Sequence, residues 1–259
     1  MSLVPLSWPA PPPEWRLGQT DVHVWSASLE VSPAARRSFA ALLSAAERQR
    51  AARFHFEPHR QRFIVGRGWL RRLLGRYLET DPAALELTYS PQGKPSLGGA
   101  FAHAGLHFNL AHSENLALLA VTRLGSVGVD VETVRPLADA EELVERFFSQ
   151  RESGLFRQLP EDQKPTAFFH LWTRKEAWLK ATGEGIAHSL NLVEVSFLPG
   201  EPARLLHLPV PLAGTVPWTL QHLAPAPGFA GALAIAAQEA RLQCWRWEEL
   251  AGTLRDGEL

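Results

Sequence analysis

The chain has 259 residues, 46% of them hydrophobic and 20% charged, with a formal charge of −1. That is material for one to two domains with a substantial core, and so small a net charge argues against a general nucleic-acid binder. No apolar run approaches the roughly 20 residues that span a bilayer, a single cysteine, Cys244, excludes an internal disulfide, and the first residues lack the basic and apolar regions of a signal peptide. The expectation is a cytoplasmic protein with neither a nucleic-acid nor a membrane partner.

Residues 1–19 are rich in proline and read as an extended, loosely held segment. In Thr20 to Val31, Val22 and Val24 alternate with His23 and Trp25, the period of a strand. Ser32-Pro33 opens a helix that turns Phe39, Leu42 and Leu43 inward. Ser44 and Glu47 form a capping box that starts the next one. From Arg48 to Arg76 there are nine arginines against one acid, Glu57, interleaved with Phe54, Phe56, Phe63, Trp69 and leucines. This pattern is either an amphipathic helix pair with a solvated basic face or a surface that gathers a polyanion.

Leu85, Leu87 and Tyr89 alternate as a strand, and Ser90 to Pro95 (SPQGKP) is a turn by composition. A lysine there, Lys94, reads on pattern alone as an exposed turn residue. His107 to Asn115 is a strand breaking at a polar corner, Leu116 to Val121 a buried strand, and Val127 to Glu132 a third. Short connections between the three suggest an antiparallel meander. In the third, Val127, Val129 and Val131 face one way and Gly128, Asp130 and Glu132 the other. Two carboxylates on one strand face lie roughly 6–7 Å apart, which suits either a solvated edge or a shared cation.

Leu137 to Phe148 reads as helical, and Ser149 with Glu152 is a second capping box. The strongest helix is Phe168 to Ile186, with an apolar stripe of Phe168, Leu171, Trp172 and Leu179 that ends at Thr182-Gly183. It carries Lys175, Glu176 and Lys180. Glu176 and Lys180 share a face at i,i+4, ordinarily a surface pair worth a few tenths of a kcal/mol. Val193 to Phe197, Trp218 to Leu223 and Phe229 to Ala237 read as strands, while the residues from Glu239 onward have no readable pattern. A weak repeat links the two halves: DVHVW answers GVDVE, and each is followed by a capping box and a longer helix carrying Trp-Leu-basic.

Taken together, GVDVE (128–132), FFSxxE (147–152), WxxKExxxK (172–180) and the Gly-Glu-Gly after it, with HFNLAHS (107–113) and GKP (93–95) upstream, resemble the 4′-phosphopantetheinyl transferase superfamily in its two-domain, surfactin-synthetase-activator type. The resemblance covers about residues 20 to 238. It implies an α+β fold of two similar, pseudo-twofold-related halves, each a small, mostly antiparallel sheet packed with helices, with the ligand cleft between them. The halves are then 20–124 and 125–238, preceded by the 1–19 segment and followed by a 239–259 extension. A protein whose own halves make its cleft is expected to be a monomer.

The resemblance also implies roles. Asp130, Glu132 and Glu176 match the Mg²⁺ ligands. Glu176 also matches the residue that helps deprotonate the nucleophile, and Lys180 the catalytic lysine at the pyrophosphate. Lys175 matches the basic residue of the same motif, His112 a contact to the 3′-phosphate of coenzyme A, and Lys94 a contact to the nucleotide phosphates. Arg50, Arg53 and Arg62 fall among the basic residues around the nucleotide. Ala111 departs from members that carry serine before the histidine. The implied reaction transfers the phosphopantetheine arm of coenzyme A to a serine of an apo carrier protein, Mg²⁺-dependent, with release of 3′,5′-ADP. The alternatives are a non-catalytic descendant that binds coenzyme A or a carrier, and a purely structural α+β interaction protein.

Overall fold

A computed structural model describes residues 8–183, 190–208 and 216–248. The chain is α+β, as expected, arranged in four layers. Strand β1 (Asp21–Ser28) lies between antiparallel β5 (Leu116–Thr122) and parallel β11 (Arg241–Trp247), and β4 (His107–Ser113) pairs with the far side of β5. A second sheet runs β6 (Val127–Thr133), β10 (Phe229–Ile235), β9 (Thr219–Leu223), all antiparallel. Two small hairpins, β2–β3 (Leu87–Tyr89, Pro95–Leu97) and β7–β8 (Glu194–Val195, Leu205–His207), complete the strands among the described residues.

The period-2 alternation explains the layering. Val22, Val24, Leu118, Ala120 and Cys244 of the first sheet meet Val127, Val129, Val131, Leu233 and Ile235 of the second, so the sheets pack face to face. The opposite face of the first sheet, with Trp25, Leu119, Val121 and Trp245, is covered by α1 (Pro33–Ala41) and α3 (Glu57–Leu78). The opposite face of the second, with Ala230, Ala232 and Ala234, is covered by α4 (Ala140–Phe147), α5 (Gln150–Arg157) and α6 (Lys164–Thr182). Small alanines on that face let α6 lie close. Gly183, at φ 80°, ends α6, while the rest of the Gly-Glu-Gly motif lies outside the described residues.

Several expectations are corrected. The meander is broken: β4 and β5 form a hairpin, but β6 leaves to found the second sheet. The chain after Glu239 is no separate extension up to Trp247, because β11 pairs parallel with β1 across some 220 residues of sequence. The proline-rich segment is packed rather than loose over its described part. The Trp15 ring stacks edge-on against Trp25 and lies 4.7 Å from that of Tyr77, and Arg246 N–H donates to Pro9 O. Each half supplies three strands to a main sheet and one two-stranded hairpin, and β11, from beyond residue 238, adds the fourth strand of the first sheet. The helix expected from Leu137 begins at Ala140. The basic run is not all solvated. Arg71 is buried and its guanidinium donates to Glu47 and to the carbonyls of Pro82 and Leu85, and Arg67 lies beside the same Glu47. This α2 (Ala45–Ala52) carboxylate completes the expected capping box as well. No helix among the described residues is long and apolar enough to cross a membrane.

Two consequences are measurable. Trp245 is 5% exposed in the core under α3, so Trp245→Ala should cost about 3–5 kcal/mol in urea unfolding, although it lies beyond the residues that resemble the family. On the other side of the molecule, His170 of α6 and His222 of β9 face each other at 4.7 Å beside Arg174. Burial, with Arg174 adding to it, pushes their pKa values down to about 3 and about 4. Both imidazoles are neutral in the folded state, whereas the unfolded chain takes up their protons near 6.5. Their stabilisation is therefore complete above pH 6.5 and is lost as pH falls toward 4, at roughly 1.4 kcal/mol per pH unit for each group. A His170→Gln, His222→Gln double variant should lose that part of the slope of unfolding free energy against pH.

Candidate active site

The site is built where β4, β6 and α6 meet. On β6, the face opposite the valines is not solvated: α6 lies on it. A Cβ placed at Gly128 would stand 2.0 Å from Ala177 O and 2.4 Å from Ala181 N, so glycine alone admits this approach. Two residues along the same face, Asp130 is 4% exposed, and Glu176 of α6 is 4% exposed. Lys180 Nζ reaches across to Asp130 Oδ1 at 2.6 Å.

β4 borders β6 without a ladder, and side chains close the seam. Asn109 Oδ1 accepts from Val129 N–H at 2.9 Å. Ser113 Oγ donates to Glu132 Oε2 at 2.8 Å and accepts from Thr133 N–H at 3.2 Å. Asn109 and Ser113 were not singled out as site residues. Their signal is in the motif HFNLAHS, since they lie two and six residues after His107, where a strand turns both to one face. The hydroxyl absent at Ala111 is thus not the only one in the motif, although Ala111 itself is buried against the inter-sheet core.

The electrostatics are those of an under-compensated acidic pocket. Burial raises the pKa of Asp130, and Lys180 opposes it. Glu132 is raised by burial, opposed by the Ser113 hydrogen bond, and raised further by Asp130. Glu176 is pushed up to about 7, first by burial, then by Asp130 and Glu132. Burial would lower Lys180, but Asp130 foremost, then Glu176 and Glu132, hold it above its ordinary value. One ammonium faces three carboxyl groups. Desolvation lowers His112 below its ordinary value, with Lys180 and Arg62 adding to that, so His112 and Arg62 belong to the same neighbourhood. Arg62 is anchored there by Asn115 Oδ1 at 2.9 Å and Glu114 Oε2 at 3.1 Å.

The donor chemistry fits a divalent cation. Asp130 Oδ2 and Glu176 Oε1 are buried and have no hydrogen-bond partner, and oxygen ligands with excess negative charge are what a hard cation takes. Among the described residues no three His, Cys, Asp or Glu side chains stand close enough to enclose a metal by themselves. An ion at this place would need oxygens from a ligand or water too, the common condition of Mg²⁺.

The remaining expected residues are not gathered here. Arg50 and Arg53 line a separate basic pocket on α2 with Ala46, Gln49 and Phe54. Lys94 leaves its turn to donate to Val127 O at 3.1 Å, Ala181 O at 3.3 Å and Lys180 O, all backbone groups; an exposed turn lysine it is not. Lys175 is a correction. It projects from the far side of α6, is fully buried, and donates to Glu152 Oε2 at 2.5 Å and Leu190 O at 2.6 Å. A helix turns about 100° per residue, so the residue beside Glu176 cannot share its face. Fully buried, bonded to Glu152 and Leu190 O and lying over the Phe148 ring, Lys175 is a core cation.

A family model described as the 4′-phosphopantetheinyl transferase superfamily matches residues 126–236, and one described as 4′-phosphopantetheinyl transferase, N-terminal, matches residues 29–124. The chain is 43% identical over 241 residues to the 4′-phosphopantetheinyl transferase HetI of a Nostoc species, covering 93% of this chain and 98% of the relative. It is 34% identical over 167 residues to AcpT of Escherichia coli, covering 63% and 80%, and 26% identical over 157 residues to Sfp of Bacillus subtilis, covering 61% and 67%. Both relatives are likewise described as 4′-phosphopantetheinyl transferases.

Glu152 shows how completely this fold can satisfy a carboxylate. It accepts from Ser149 N–H, Val195 N–H and Lys175 and is fully buried. Glu152→Gln strands the Lys175 ammonium in the core, and we expect a loss of about 3–5 kcal/mol, read by chemical denaturation; a change below about 1 kcal/mol would contradict this account of the pair.

Proposed function

The chain belongs to the 4′-phosphopantetheinyl transferase superfamily, and we propose that its β6–α6 cluster carries out the transfer of the phosphopantetheine arm of coenzyme A to a serine of an apo carrier protein. The observation that carries this reading is the pair of buried, unpartnered carboxylate oxygens, on Asp130 and Glu176, beside the Lys180 ammonium. Two open carboxylate oxygens converging beside one ammonium point to a ligand that completes them.

The chemistry follows from the residue types. The serine hydroxyl attacks the phosphorus that bears the pantetheine arm. The P–O bond to the other phosphate breaks, and 3′,5′-ADP leaves with the electron pair. The serine proton passes to Glu176, which its surroundings hold near neutral pH as a base. Lys180 faces the phosphate on which negative charge builds. Mg²⁺, held by Asp130, Glu132 and Glu176, would neutralise the diphosphate and orient it. Ser113 fixes Glu132 in place. His112 and Arg62 supply the polar rim for the 3′-phosphate and nucleotide, and Arg50 and Arg53, in their separate pocket, add to the basic surface. That surface, with Phe54 and Phe56 exposed in it, is suited to an acidic helical carrier. We place the protein in the cytoplasm, acting as a monomer.

A non-catalytic binder would have no use for a base at this position, so the decisive variant is Glu176→Gln, which keeps size and removes the base. We expect the gain of phosphopantetheine mass on an apo carrier to slow by about 10²–10⁴-fold while the melting temperature stays near that of the wild type. Wild-type rates in this variant would remove Glu176 from the mechanism, and no transfer by the wild type onto several carrier classes would favour the binder.

A further inference from the structure

Lys94 is charged, sits in a turn of the N-terminal half, and is expected from the family resemblance to touch nucleotide phosphate; its surroundings indicate another task. The turn is stiff: Ser90 N–H donates to Lys94 O at 2.9 Å, Gly93 N–H to Ser90 O at 2.8 Å and Lys94 N–H to Ser90 Oγ at 3.1 Å. From it the side chain enters a notch between β6 and the end of α6. Its ammonium has three protons, and three carbonyls take them: Val127, Lys180 and Ala181.

These carbonyls are specific in kind. Lys180 O and Ala181 O belong to the last turn of α6, whose carbonyls have no following helical N–H to accept from and form the negative end of the helix dipole. Val127 O opens β6, one residue before Gly128, where strand and helix backbones touch. A single cation from the other half of the chain therefore staples the strand that carries Asp130 and Glu132 to the helix that carries Glu176 and Lys180. The residue whose ammonium pairs with Asp130 has its own carbonyl held by Lys94. Burial brings Lys94 down to about 8, with no carboxylate to restore it; backbone dipoles alone meet the charge.

We propose that Lys94 is a positioning residue: by clamping the C-terminal turn of α6 to the start of β6, it sets the register of Lys180 and Glu176 against Asp130, and it does so without binding coenzyme A. The proposal rests on the reading of the β6–α6 cluster as the transferase site. It also makes a distinction between cations. Arginine is a good phosphate ligand, but its planar fork cannot direct three protons from one nitrogen at three converging carbonyls.

The test uses the full-length protein as Lys94→Met and Lys94→Arg. Three quantities are read: turnover on an apo carrier by mass spectrometry, the Kd for coenzyme A by calorimetry, and amide hydrogen exchange in the peptide covering 176–183. For both variants we expect kcat to fall at least about tenfold, the Kd to stay within about threefold, and exchange in that peptide to accelerate at least about tenfold while the β1–β5 peptides keep wild-type protection. Near-wild-type turnover in Lys94→Arg, or a Kd weakened more than about tenfold with kcat retained, overturns the proposal in favour of a phosphate contact. Unchanged exchange at 176–183 overturns it outright. Should the wild type transfer nothing to any carrier, the functional reading fails alone, because the exchange measurement still decides whether the clamp exists.

Discussion

The backbone contact between β6 and α6 is the constraint on which the site depends. Helices ordinarily pack on sheets through side chains, at a distance those side chains set. At Gly128 nothing intervenes, and Ala177 and Ala181 on the helix are small. The helix comes down onto the strand, and short carboxylates on the two elements enter one neighbourhood. Were α6 raised by a side chain at 128, Lys180 would no longer reach Asp130. The alanines of β10 serve the same end, since Ala230, Ala232 and Ala234 present a low surface to the rest of the helix.

A helix held this close needs its charges settled on every other side, and both halves of the chain use one device for that. In each, a capping-box glutamate at a helix start is buried and takes a cation from the long helix that follows. Glu47 meets Arg71, and Glu152 meets Lys175. The carboxylate thus ties a helix N-terminus, where negative charge is favoured, to a second helix. Buried ion pairs add little net stability against apolar replacements; what they add here is a fixed relation between elements. In the C-terminal half the tie lies under α6, on the side away from the site.

This division also explains what was legible in the sequence. Both capping boxes, the glycine stop of α6, the alternation of β1 and β6 and the buried runs of β5 and β10 are local patterns, and the chain folds as they predict. The acidic cluster is legible because GVDVE puts Asp130 and Glu132 on one strand face, and the i,i+4 spacing puts Glu176 and Lys180 on one helix face. The surroundings of Lys175 and Lys94 are not legible in the sequence, for different reasons. Lys175 lies beside Glu176 in the motif, yet helical rotation sends it to the opposite side. Lys94 finds its acceptors 33 and 86–87 residues away, and they are carbonyls, which no side-chain pattern encodes. The strand β11 was illegible because parallel pairing with β1 spans nearly the whole chain and leaves no turn to announce it. The broken meander has the same origin: a short β5–β6 link suits a hairpin and a change of sheet equally well.

The contrast between two glutamates on one structural theme gives the argument for function its force. Glu152 lies in a fully dry place and has every oxygen met, by two backbone N–H groups and an ammonium. Glu176, across the helix that carries Lys175, is buried almost as deeply yet keeps an oxygen with no partner, in a field that Asp130 and Glu132 make worse. The fold is evidently able to satisfy a buried carboxylate one helical face away. Leaving Glu176 and Asp130 open costs stability that a hydrophobic pair would not cost, and the cost is concentrated at the single place where a close strand–helix contact, a lysine and three acids converge. Strain of that kind persists where a ligand relieves it. A cation bound with an anionic diphosphate would relieve all of it at once, supplying positive charge to the carboxylates and negative charge to Lys180.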